Sequence, residues 1–180
     1  MADIPADHPL CRLFAGVTEQ AFVSTLGVAD PPLVDYVSGL LARFLHADTI
    51  YCVHDAAGRR VAELAALAVA ADALPDGTRR RELHRHVGDY ALFWCGLYPE
   101  AVNRRPARPG PNPAANFTAL GKRSYGIAST FADDPFAAEA PVLFRLGEQF
   151  ELCVEGLREV RKEFAGLAGR PLPPGAGLIG

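Results

Sequence analysis

Lysine is scarce in this chain of 180 residues: two of the 18 basic residues are lysine, and the other 16 are arginine. No apolar run approaches the roughly 18 residues that a membrane-spanning helix needs. The first residues carry acids where a signal peptide has basic residues before an apolar core. We therefore expect a soluble, cytoplasmic protein that has no membrane association.

Cysteine is sparse and dispersed, since Cys11, Cys52, Cys95 and Cys153 stand far apart. No pair has the C-x-x-C spacing of a structural zinc site or a dithiol redox site. Three of the four lie within apolar patterns, where free cysteine behaves as a small hydrophobic residue. We expect buried free thiols, and disulfides only if the fold brings these distant positions together.

Apolar residues recur at helical spacing along the chain, and no series of alternating strands is present. Gly27 is a candidate helix stop, and Asp30 is a candidate N-cap for a helix that begins with two prolines. Seven apolar positions from Leu143 to Phe164 alternate at spacings of three and four, which predicts a seam against another helix. The predicted helices span about 8–26, 31–46, 59–73, 78–98, 114–133 and the stretch from Pro141 onward.

These helices predict an all-α, single-domain bundle of five to seven helices within residues 1–167. The helix at 78–98 has apolar residues on more than one side, which indicates a central position. A Gly/Pro-rich tail at 168–180 is expected to be flexible. Residues 49–53 are interpreted as an extended connector, and the five prolines of residues 99–113 predict a long irregular loop that is either functional or mobile.

The segment from His84 to Tyr90 is the best local candidate for chemistry. On a helix, His86 and Asp89 are three residues apart and Glu82 is four before His86, so these side chains share a face. A histidine oriented by a carboxylate acts as a base or binds a metal. The alternative is structural, with Asp89 satisfying His86 or a nearby backbone group. No Glu-x-x-His pair of a di-iron bundle occurs, and we predict no cofactor.

The segment from Gly121 to Gly126 looks superficially like a phosphate-binding loop, but it lacks the Walker spacing and no strand precedes it. Gly121, Ser124 and Ala128 lie on one helical face. Small residues there predict close approach of another helix.

Charge is distributed unevenly along the chain. Residues 1–78 have a net charge of −6, residues 79–130 of +6, and residues 131–180 of −3. The basic middle third predicts a surface for phosphates, for an acidic partner or for acids of this chain. The overall pI near 5.9 argues against nucleic acid as a partner, because a nucleic-acid-binding domain is expected to be basic. The candidate partner-binding residues are Arg79, Arg80, Arg81, Arg104, Arg105 and Arg108.

Two segments, from His86 to Glu100 and from Gly121 to Tyr125, resemble a pattern in an uncharacterised family of all-helical bacterial proteins. In that family the first segment is (H/R)-x-G-D-x-x-L-F-x-x-G-x-x-P-E, and the second is a Gly-x-x-Ser/Ala-Tyr helix. The resemblance implies no known activity. It implies that the shared positions form one unit, made of His86, Gly88, Asp89, Gly96, Pro99 and Tyr125. The candidate ligand or metal site therefore consists of Glu82, His86, Asp89 and Tyr125.

Two functions follow as expectations. The first is a non-enzymatic interaction or assembly protein, in which the arginine-rich middle third binds an acidic protein partner or a second copy of the chain. The second is a helical ligand- or metal-binding domain, with enzymatic activity left open, centred on His86 and Asp89. A deep pocket near His86 would favour the second function, and a solid core there would favour the first.

Overall fold

The structure, a computed structural model, describes residues 9–44, 57–102 and 113–168. Within these ranges the chain forms an all-α, single-domain bundle without strands, as the spacing predicted. Seven α-helices of nine residues or more are described, together with a π-helical segment and a single-turn helix. In chain order they are α1 (Pro9–Glu19), the π-helical segment (Gln20–Thr25), α2 (Pro31–Phe44), α3 (Ala57–Asp72), α4 (Thr78–Leu97), α5 (Pro99–Val102), α6 (Pro113–Ser129), α7 (Ala140–Glu148) and α8 (Phe150–Ala168).

The boundary between α1 and α2 confirms two predicted signals. Gly27 adopts a positive φ of 70°, a left-handed conformation that favours glycine and ends the π-helical segment. Asp30 caps α2, because its Oδ1 atom accepts a hydrogen bond of 3.2 Å from the Leu33 backbone nitrogen. The predicted stripe of α2 is buried at Leu33, Val34, Val37, Leu40, Leu41 and Phe44.

Helix α4 is the central helix, as its broad apolar surface predicted. It packs mainly against α6, α8 and α3, and every residue from Ala91 to Leu97 is buried. Helix α6 runs antiparallel to it, since Gly88 lies against Tyr125 while Ala91 lies against Gly121.

Close packing at glycine confirms the predicted small-residue face of α6. A Cβ atom at Gly121 would be 2.5 Å from Phe150 of α8 and 2.9 Å from Ala91 of α4. Ser124 and Ala128, on the same face, are buried. Glycine also permits the α4–α8 crossing, where a Cβ atom at Gly96 would overlap Leu157.

The prediction of one uninterrupted helix from Pro141 onward is wrong. The chain leaves helical geometry at Gln149, with φ −106° and ψ 29°, and this residue separates α7 from α8. The predicted seam is nevertheless buried from Leu143 to Val160, with Phe164 partly buried at its end. Apolar spacing identifies the side that packs on the core, and it carries no information on a single residue that leaves the helix.

Two other predicted boundaries are corrected. Helix α6 ends at Ser129 instead of near residue 133, where Ser129 Oγ donates to the Gly126 carbonyl at 2.7 Å and Thr130 Oγ1 to that of Ile127 at 2.8 Å. The predicted irregular loop at 99–113 begins with the short helix α5. The connector at 49–53, residues 103–112 and the tail from residue 169 lie outside the described residues.

Candidate functional site

Asp89, in the middle of α4, is the centre of a buried polar cluster that joins three helices. Its Oδ1 atom accepts hydrogen bonds from Tyr36 Oη of α2 at 2.7 Å and from Tyr125 Oη of α6 at 2.9 Å. Its Oδ2 atom accepts one from Arg43 Nη2 of α2 at 3.1 Å. The Asp89 side chain is 4% exposed. We call these four residues the Asp89 cluster.

Local sequence explains how the phenols reach Asp89. The preceding residue, Gly88, has no side chain, and the Tyr125 ring occupies that space, 2.6 Å from where a Cβ atom would lie. On α2, Tyr36 and Arg43 are seven residues apart and therefore lie on one side of the helix. The Arg43 guanidinium also stands 5.2 Å from the centre of the Tyr36 ring.

Both phenols of the Asp89 cluster are held neutral at physiological pH. Burial raises the pKa of Tyr125 well above its usual value, and the neighbouring Asp89 carboxylate raises it further. The same two causes, in the same order, raise the pKa of Tyr36. The phenols are therefore hydrogen-bond donors in this pH range, and the cluster has no phenolate that would act as a base. Its arrangement suits holding helices together better than transferring protons.

The structure brings together only two of the four predicted ligand-site residues, Asp89 and Tyr125. The His86 side chain is exposed, and its ring stacks on Phe44 with centroids 6.0 Å apart. No hydrogen bond joins His86 to Asp89 within the described residues. Glu82 pairs with Arg81 and Arg85 instead of His86. Glu82, His86 and Asp89 do share one side of α4, but the two carboxylates pair with other residues and not with His86.

The sequence interpretation missed Tyr36 and Arg43. Both lie at the edge of the apolar stripe of α2, where a tyrosine and an arginine look like ordinary boundary residues. Their seven-residue spacing was the available signal, because it places a donor pair on one side of the helix. Their acceptor is 46 to 53 residues away in sequence, so no local pattern connects them to Asp89.

A second polar cluster lies at the beginning of α4. The Arg81 side chain is 1% exposed, and its two Nη atoms pair with Glu82 and with Glu139 of the α6–α7 connection. Phe136 of the same connection covers the guanidinium, with its ring centre 4.0 Å from Cζ. Arg85 Nη2 lies 2.8 Å from Glu82 Oε2, and Arg85 Nη1 lies 3.6 Å from Glu139 Oε1. We call these five residues the Arg81 cluster.

The predicted arginine surface is altered by these contacts. Arg81 is a buried residue and not a surface residue, because Glu139 and Phe136 of the α6–α7 connection cover it. Arg79 is exposed, and Arg80 pairs with Asp76 of the preceding turn. The three arginines at 104, 105 and 108 lie outside the described residues.

Two other basic residues of the middle third also pair within the chain. Arg123 makes two hydrogen bonds to Asp72, and Lys122 contacts Glu151. Both pairs are largely exposed, so each contributes at most about 1 kcal/mol to stability. Such pairs exchange readily for other acids.

His84 is a buried histidine between α3 and α4. Its Nε2 atom is 3.5 Å from Asp72 Oδ1, and neither ring nitrogen makes a hydrogen bond to any residue that the structure describes. Burial lowers the pKa of His84, with the nearby Arg80 and Arg123 acting in the same direction and Asp72 opposing them. His84 is therefore a neutral core residue at physiological pH.

Metal-binding groups do not converge in the part of the chain that the structure describes: no three His, Cys, Asp or Glu side chains there form a possible metal site.

Cys95 and Cys153 are buried free thiols, as predicted, and burial raises their pKa to about 11 and about 12. Cys11 is also free and half-buried, whereas Cys52 lies outside the described residues. Among the described helices, none has the length and apolar character to cross a bilayer.

Comparisons with known proteins give no match to a family model, to a curated protein or to a solved structure. The resemblance of the two central segments to a helical family therefore stays a prediction.

Proposed function

We propose that this chain is a non-enzymatic interaction protein whose basic surface at the beginning of α4 binds an acidic protein partner. The observation that carries the proposal is the concentration of arginine in the first turn of that helix. Arg79, Arg80 and Arg81 follow one another there, without any acid in the turn and without a side-chain cap at Gly77.

This arrangement opposes the electrostatics of the helix. The N-terminus of a helix carries partial positive charge, which favours acids in the first turn and disfavours bases by about 0.3–1 kcal/mol each. Residues that destabilise the local structure tend to occur at functional sites. Arg81 is accounted for by its buried pairing with Glu139, and Arg80 in part by its pair with the exposed Asp76. Arg79 is exposed, and a binding requirement for positive charge explains its place in this turn, whereas helix stability does not.

The Asp89 cluster supports the non-enzymatic part of the proposal. Both carboxylate oxygens of Asp89 accept hydrogen bonds from within the chain, and the phenols are neutral donors. The alternative, a ligand- or metal-binding domain centred on His86 and Asp89, has less support because the two side chains are not hydrogen-bonded.

The test is binding of a fluorescent decaglutamate peptide, followed by anisotropy at low and high salt. Wild-type protein is compared with a variant in which Arg79 and Arg80, both in the first turn of α4, are replaced by Ala. The matched control removes two other exposed positive charges, at Arg158 and Lys162. We expect the first variant to lose about tenfold or more in affinity and to depend less on salt. We expect the control to lose much less.

Equal losses in both variants would mean that the peptide responds to net charge alone, and absent binding by wild-type protein would overturn the proposal. A second copy of the chain is the other expected acidic partner, since residues 1–78 carry a net charge of −6. Native mass spectrometry at low and high salt distinguishes the two, because self-association through this surface would weaken as salt rises.

A further inference from the structure

Glu139 holds an unusual position between two arginines of α4. Its carboxylate pairs with the buried Arg81 through Oε2 and lies 3.6 Å from Arg85 Nη1 through Oε1. It thus contacts both guanidiniums in the way that a carboxylate ligand would. Glu139 belongs to the α6–α7 connection, residues 130–139, and not to a helix.

Arg81 is incompletely satisfied by the acids around it. A guanidinium has five N–H donors, and the buried Nε atom of Arg81 has no hydrogen-bond partner among the described residues. A buried polar group without a partner is unusual in a folded protein and calls for an explanation. Buried ion pairs are also seldom the most stable solution for a core position. The site therefore has unused capacity for a further oxygen ligand.

Glu139 is well placed to be exchanged. Its side chain is 32% exposed, whereas the arginine beneath it is 1% exposed. Most of the connection around it is exposed, including two more acids, Asp133 and Asp134. Movement of this segment would carry Glu139 and the Phe136 ring away from the Arg81 guanidinium and so expose it.

We infer that Arg81 and Arg85 form a carboxylate-binding site, that Glu139 fills this site in the free protein, and that an acidic segment of a protein partner displaces Glu139. The inference rests on the proposed function, because it names the atoms with which the basic surface would hold an acidic partner. The planar fork of arginine matches a carboxylate with two parallel hydrogen bonds, and Arg81 is already immobilised for this role. Glu139 competes with the partner for this site. The apparent affinity for the partner is therefore reduced in proportion to the fraction of molecules in which the site is free of Glu139.

The test uses the same decaglutamate peptide with Glu139→Gln. A matched control, Asp133→Asn, makes the same charge change on the same exposed segment. We expect Glu139→Gln to bind the peptide about tenfold more tightly than wild type and Asp133→Asn to differ by less than about twofold. Adding Arg85→Gln to the Glu139→Gln variant should abolish the gain, with circular dichroism verifying that the double variant is folded.

Hydrogen–deuterium exchange gives a second measurement that needs no variant. Saturating peptide should accelerate amide exchange in residues 130–139 of the wild-type protein, because the segment that carries Glu139 is displaced. Unchanged exchange there, or equal affinities of the Glu139→Gln and Asp133→Asn variants, would overturn the inference while leaving the proposed function intact. Failure of all these proteins to bind would instead count against the proposed function.

Discussion

The Asp89 and Arg81 clusters lie about two turns apart on the same helix, yet their polar atoms are satisfied to different degrees. In the Asp89 cluster, both carboxylate oxygens accept hydrogen bonds, and one of the donors, Tyr125, is fully buried. In the Arg81 cluster, the Nε–H group of a buried guanidinium has no acceptor in the part of the chain that the structure describes, and its partner Glu139 is partly exposed.

This difference indicates two different roles for buried polar groups in the protein. A satisfied network that joins three helices fixes their relative position, because any shift breaks several hydrogen bonds at once. The Arg81 cluster has the opposite property, because its partner Glu139 is partly exposed and its replacement by another carboxylate would keep the buried charge paired. We therefore assign the first cluster to the scaffold and the second to binding, and three variants test this distinction.

Replacing Asp89 by Ala should have the largest effect. The change leaves the buried Tyr125 hydroxyl without its acceptor and Arg43 without its counter-charge, so we expect a loss of about 3–5 kcal/mol in the free energy of unfolding. Urea denaturation followed by circular dichroism measures it. Asp133→Ala, on the exposed α6–α7 connection, is the control and should change little. A loss below about 1 kcal/mol would remove the scaffold role of the cluster.

Replacing Tyr125 by Phe should have an intermediate effect that grows smaller at alkaline pH. The variant loses one hydrogen bond to a carboxylate, which is worth about 1.5–3 kcal/mol. Because burial raises the pKa of Tyr125, the phenol stabilises the folded chain fully below about pH 10, where unfolded tyrosine titrates. That contribution is lost as the pH rises above this value.

Urea denaturation of wild-type and Tyr125→Phe proteins between neutral pH and about pH 11 measures this dependence. The stability of the wild-type protein should fall more steeply above about pH 10 than that of the variant. Parallel curves would contradict the assignment of a buried, neutral phenol.

Replacing Glu139 by Gln should have the smallest effect on stability. The amide oxygen still accepts a hydrogen bond and Glu82 still pairs with the buried Arg81, so we expect a loss of about 1 kcal/mol. Thermal unfolding of the variant beside wild type measures it. A loss as large as that of Asp89→Ala would erase the distinction between the two clusters and make Glu139 a scaffold residue.

Local signals in the sequence predicted most of the fold. The Asp30 cap, the Gly27 stop and the apolar stripe of α2 depend on residues within one or two turns, and the structure confirms all three. The break at Gln149 was missed because the apolar residues on either side keep helical spacing across it.

The two clusters were predictable only in part. The sequence singled out Asp89 and, through the family resemblance, Tyr125, but it paired Asp89 with the wrong neighbour. His86 is three residues away on the helix, while the actual donors come from α2 and α6. Arg81 was interpreted as a surface residue because Glu139, which covers it, is 58 residues further along the chain. The packing of helices against one another determines which residues pair in this way, and the spacing of residues within one helix does not predict it.

The contact between Gly96 and Leu157 sets the distance between α4 and α8 at their crossing. The leucine side chain occupies the space that a Cβ atom at residue 96 would need. The nearest atom to that position is the Cβ of Leu157, and every residue except glycine has a Cβ atom there, so a smaller side chain at 157 would not make room. The crossing of α4 and α8 at this distance thus requires glycine at position 96, and no ordinary substitution at 157 would compensate for its loss.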